Sequence, residues 1–102
     1  MKVELLHIVD CPNTVSAEAN ARAALDALEL TAVPIQIVTI HTEVDATNTQ
    51  FAGSPTILVD GVDLFPTTRV RSLACRVYAS GSGLAGAPGQ KQIEAALRAR
   101  LD

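Results

Sequence analysis

A chain of 102 residues is long enough for one domain with a single core and too short for two, and at 48% hydrophobic and 19% charged it has the composition of an ordinary soluble globule. A net charge of −3, with acidic and basic residues mixed along the chain, excludes the electrostatic footprint of a nucleic-acid-binding protein. No run approaches the roughly 18 uninterrupted apolar residues of a membrane span, and two cysteines do not make a disulfide scaffold, so a reducing cytoplasm is expected.

Residues 1–4 carry charges at Lys2 and Glu4 with no small-residue cleavage site after them, which predicts no secretory signal. Residues 2–9 are rich in Val, Leu and Ile with little alternation, the pattern of a central strand covered on both faces. Its one polar oddity, His7, is expected to be a satisfied core or sheet-edge histidine, because no second ligand stands nearby at metal spacing. Residues 14–30 read as a helix, with Ala17, Ala21, Ala24 and Leu28 at spacings of four, three and four and Leu25 widening the stripe. Glu18, Arg22, Asp26 and Glu29 take the outer face.

The junction between these two elements is Val9-Asp10-Cys11-Pro12-Asn13-Thr14. A helix begins with N–H groups that lack intrahelical partners and with a partial positive charge, so an anion there is stabilised. Cys11 stands where an N-cap would stand, and Pro12 suits the first helical position because its missing N–H leaves no bond unmade. The Cys11 thiol is therefore expected to be more acidic than the ~8.5 of a free cysteine, with Asp10 pushing the other way. The alternative is a small buried cysteine that reacts with nothing.

Residues 33–41 form a second apolar strand that opens at Pro34. Strand, helix and strand make a βαβ unit, whose right-handed crossover joins parallel neighbours, so both strands end at the edge where Cys11 sits. Residues 42–51 are polar, with Val44 and Phe51 at helical spacing, and predict a short helix. Asp60-Gly61 is a two-residue hairpin signal between strands 56–59 and 62–65. From 66 to 89 the pattern dissolves into an irregular loop, with Arg69, Arg71 and Arg76 around Cys75 and with Gly81, Gly83, Gly86 and Gly89 breaking any longer element. Residues 90–101 close the chain as a helix with Ile93, Ala96, Leu97 and Leu101 on one side.

The order βαβ-α-ββ-α, with Cys11-Pro12-Asn13-Thr14 after the first strand and Gly53-Ser54-Pro55-Thr56 entering the third, resembles the thioredoxin fold. The resemblance implies a single α/β domain with a four-stranded mixed sheet in order 2-1-3-4 and helices on both faces. It also implies that Cys11 is the attacking cysteine and Pro55 a cis-proline lying against it, with the N–H and C=O of Ser54 and the neighbouring Pro12 presented to an extended substrate. The family's second cysteine is replaced by Thr14, so a local dithiol cycle is impossible, and monothiol chemistry remains, with the Thr14 hydroxyl able to bond a thiolate. Strand directions bring the loop after Phe65 out at the Cys11 edge, so Cys75 could reach Cys11 and resolve it; a buried structural cysteine is the competing reading.

Cys75-Arg76-Val77-Tyr78 followed by Gly83-Leu84-Ala85-Gly86-Ala87-Pro88 is similar to a feature of small thioredoxin-like proteins catalogued with the alkylmercury lyases. That resemblance implies Cys11 and Cys75 as thiolates for mercury, a soft metal, and Asp10 as the acid. Three functions follow as expectations. The first is thiol–disulfide exchange or conjugation of a small thiol such as glutathione by Cys11, with no resident cofactor and with Arg69, Arg71 or Arg76 attracting an acidic substrate or small protein partner. The second is soft-metal handling, and the third a non-catalytic binding module, monomer or homodimer.

Overall fold

A computed structural model describes residues 1–68, 72–80 and 83–101. The first strand, β1 (Val3–Ile8), runs parallel to β2 (Ile35–Ile40), with Val3 opposite Ile35 and Ile8 opposite Ile40. Between them lies α1 (Thr14–Ala27). After β2 comes the short α2 (Glu43–Thr47), started by a capping box in which the Asp45 N–H donates to Thr42 Oγ1 at 3.1 Å and the Thr42 N–H to Asp45 Oδ2 at 3.2 Å. β3 (Thr56–Val59) then pairs antiparallel with β1 on one side and with β4 (Val62–Asp63) on the other. The sheet order is β2-β1-β3-β4, with α3 (Gln90–Leu101) closing the described chain.

Alternating side chains divide the core into two layers. On one face Val3, Ile57 and Val59 pack with Ala21, Ala24 and Leu25 of α1 and Ile93 and Leu97 of α3. On the other, Leu6, Ile40 and Leu58 pack with Ala46 of α2 and with Phe51, which is fully buried. All four residues of β3 are buried, as a strand covered on both faces must be. Among the described residues no helix is long and apolar enough to cross a membrane.

Several element ends differ from the sequence expectation. Helix α1 stops at Ala27 rather than residue 30 because Glu29 adopts φ 64°, the Glu29 N–H donates to the Asp26 carbonyl at 3.0 Å and the Leu30 N–H reaches back to Leu25 at 2.8 Å. That is a Schellman termination, made by a glutamate in the place glycine usually takes, with Leu30 turned onto the core beside Leu25. Strand β4 ends at Asp63 rather than Phe65 because Asp63 Oδ1 accepts the Phe65 N–H at 2.8 Å and turns the chain away from the sheet. The expected irregular stretch 66–89 contains a hairpin, β5 (Tyr78–Ser80) paired antiparallel with β6 (Gly83–Ala85). Gly81, Arg69 and Arg71, named above, lie outside the described residues.

Candidate functional site

The chain leaves β1 through a turn in which Asp10 has φ 60°, a conformation that Asp tolerates better than most side chains. The Cys11 N–H then donates to the Ile8 carbonyl at 3.3 Å and the Thr14 N–H to the Cys11 carbonyl at 3.4 Å, before the Ala17 N–H bonds the Asn13 carbonyl at 3.0 Å. These turn bonds use up residues 11–13, so the helix opens at Thr14 with Asn13 as N-cap. This corrects the expectation that Cys11 is the N-cap and Pro12 the first helical residue; Pro12 is an exposed turn residue. The Asn13 side chain makes no cap bond and lies instead against Gly86, where a Cβ would come within 2.3 Å of Asn13 Nδ2.

Cys11 is a free, partly buried thiol. Burial pushes its pKa up, but hydrogen bonds from the Ser54 hydroxyl, the Thr14 hydroxyl and the backbone N–H groups of Asn13 and Thr14 outweigh burial and hold it below the ordinary value. Asp10, set against the thiolate in the sequence reading, is not among the causes. Thr14 Oγ1 is sealed from solvent without a hydrogen bond of good geometry. The same hydroxyl is among the groups that favour the ionised form of Cys11.

Ser54 is fully buried, and every polar group it carries is used. Its hydroxyl accepts the Ile8 N–H at 3.1 Å and, as a donor, favours the ionised form of Cys11. Its N–H donates to the Ala74 carbonyl and its carbonyl accepts the Arg76 N–H, both at 2.9 Å, which makes a parallel bridge with Cys75 opposite Ser54. The Ser54–Pro55 peptide is cis. The N–H and C=O that the sequence reading assigned to an extended substrate are therefore already bonded, to the chain's own residues 74 and 76.

The segment that carries Cys75 is fastened on both sides. Arg76 is buried; its Nη1 donates to Asp63 Oδ2 at 2.9 Å, its Nη2 to the Phe65 carbonyl, and its guanidinium lies 4.6 Å from the Tyr78 ring centre. Burial pushes the Tyr78 hydroxyl well above its usual range, with Arg76 pulling against it, so the group stays protonated and donates to the Pro55 carbonyl. Phe65 meets the Tyr78 ring edge-on at 5.4 Å. Gly53 has φ 101°, and any Cβ there would stand 2.8 Å from Arg76 Cβ, so the close seating of the segment needs glycine at this position. Cys75 itself is exposed, which sets aside its reading as a buried core cysteine, and it lines a cavity of about 470 Å³ together with Phe65, Thr67, Thr68 and Tyr78. Cys11 is not on that cavity's wall.

The other candidates separate cleanly. The Arg76 guanidinium is committed to Asp63 and Phe65 and is not open to an acidic substrate. His7 is satisfied as expected: Nδ1 donates to the Ile8 carbonyl at 2.9 Å and Nε2 meets Thr39 Oγ1 at 3.2 Å. His41, just past the end of β2, is exposed, and its N–H donates to Asp45 Oδ2 at 3.0 Å. Among the described residues no three His, Cys, Asp or Glu side chains converge to hold a metal ion. Sequence reasoning missed the Ser54 hydroxyl, for which the sequence carries no signal beyond the residue type, and the roles of Asp63 and Tyr78. No protein-family model, curated protein or solved structure matches the chain.

Proposed function

We propose that this chain is a thioredoxin-like thiol–disulfide exchange protein in which Cys11 attacks and Cys75 resolves. The observation that carries the reading is that the neighbours of Cys75 hold both backbone groups of Ser54, the residue whose hydroxyl is among the groups that lower the Cys11 pKa. The bridge sets the backbone of Cys75 beside that of Ser54, at the roughly 4.8 Å spacing of neighbouring strands. The donors around Cys11 favour the thiolate, the nucleophilic form.

In the cycle, the Cys11 thiolate attacks a disulfide RSSR, forms Cys11–S–SR and releases one thiolate. Cys75 then loses its proton to solvent and attacks the Cys11 sulfur, releasing the second thiolate and leaving a Cys11–Cys75 disulfide. The protein loses two electrons and the substrate gains them. Alkylation of Cys11 against pH tests the first step, with half-maximal reactivity expected below the ~8.5 of a free thiol; a midpoint at or above that value removes the nucleophile.

A second reading is favoured by the same pairing at Ser54, because two soft sulfurs suit a soft metal such as mercuric ion. It requires Cys75→Ser to weaken mercuric binding by orders of magnitude, and unchanged affinity contradicts it.

A further inference from the structure

A strand edge with free N–H and C=O groups is a template for another extended chain, and such an edge beside a reactive thiol selects polypeptide substrates. At Ser54 that edge is filled. We propose that the site takes disulfides of low-molecular-weight thiols, recognised through their sulfurs, and is closed to extended polypeptide substrates because residues 74–76 occupy the backbone of Ser54. The inference rests on the exchange reading above and names its substrate class.

The energetic argument is one of replacement. A peptide aligning at Ser54 gains the two backbone bonds that Ala74 and Arg76 now make, and must first break those same two. The internal segment also competes at the high effective concentration of a tethered strand. It does not lift alone: Arg76 holds it to Asp63 and Phe65, Tyr78 holds it to Pro55, and Gly53 lets it sit against the backbone. A small disulfide asks for none of this, because it needs only a line of approach to Cys11, a residue that is partly exposed.

The test uses the Cys75→Ser protein, which stops at the mixed-disulfide stage. Its second-order rate with 2-hydroxyethyl disulfide is compared with that of an unstructured peptide whose cysteine carries the same 2-mercaptoethanol leaving group, each divided by the rate of a free model thiol. The inference predicts that the small disulfide reacts faster than with the model thiol and that the peptide's normalised rate is no higher, whereas an open edge offering two backbone bonds favours the peptide by about thirtyfold. Tyr78→Phe in the same background, which removes one fastening of the segment, is expected to raise the normalised peptide rate and leave the small disulfide unchanged. Acceleration of both substrates with a peptide preference near thirtyfold overturns the substrate class and leaves the exchange reading standing. No acceleration of either over the model thiol overturns both.

Discussion

Cys11 and Cys75 reach the same residue by different routes: Cys11 through the Ser54 side chain, Cys75 through backbone bonds made by Ala74 and Arg76. Around Cys11 the sulfur itself is surrounded by donors from Ser54, Thr14 and Asn13, and its acidity follows from them. Around Cys75 the location is fixed, by a buried ion pair and a tyrosine hydroxyl, while the thiol faces solvent. One region sets the chemistry of a sulfur and the other sets the place of one, the division of labour that the proposed attack and resolution would require.

The largest expected effect separates the two regions. Arg76→Met leaves the Asp63 carboxylate, only 14% exposed, without its partner, and stability should fall by about 3 kcal/mol or more, read as the shift in urea midpoint. The acidity of Cys11 should change little in the protein that remains folded, because the Ser54 hydroxyl is also held by the Ile8 N–H. A collapse of thiol reactivity would mean the two regions are one unit.

Gly53→Ala comes next, costing about 2 kcal/mol, since a Cβ 2.8 Å from Arg76 Cβ adds to the strain of φ 101°. Ser54→Ala acts on the other region. It should cost about 1 kcal/mol for the Ile8 N–H left without its acceptor, and raise the Cys11 pKa, seen as slower alkylation at neutral pH. The sign of the pH dependence follows from the lowered thiol pKa. Ionisation of Cys11 stabilises the fold above the thiol range of the unfolded chain, and that contribution is lost as pH falls through the folded value. Ser54→Ala should flatten this part of the stability profile.

The smallest stability effect is expected for Thr14→Val, which removes a buried hydroxyl that has no well-formed bond to lose. Stability should be nearly unchanged while Cys11 alkylation at neutral pH slows. A clear loss of stability would show that the hydroxyl is bonded in the thiol form as well.

The regular half of the molecule was legible because its signals are local. Asp60-Gly61 marked the β3–β4 hairpin, the alanine stripe marked α1, and the two apolar strands flanking it marked the parallel pair. The cis Ser54–Pro55 bond followed only from the resemblance. The helix start was displaced because Asp10 adopts a left-handed turn, which Asp tolerates but does not announce. The segment around Cys75 was illegible for a different reason. Its order comes from contacts at long range, Arg76 with Asp63, Tyr78 with Pro55 and Cys75 with Ser54, and none of these leaves a period in the sequence.

The central claim is that Cys11 and Cys75 form one exchange unit across Ser54. Mapping the disulfides after reduced protein is treated with one equivalent of 2-hydroxyethyl disulfide and quenched in acid tests it most directly. The account predicts an intramolecular Cys11–Cys75 bond and two equivalents of released thiol. A stable adduct of the small thiol on Cys11, with Cys75 still free, would contradict it.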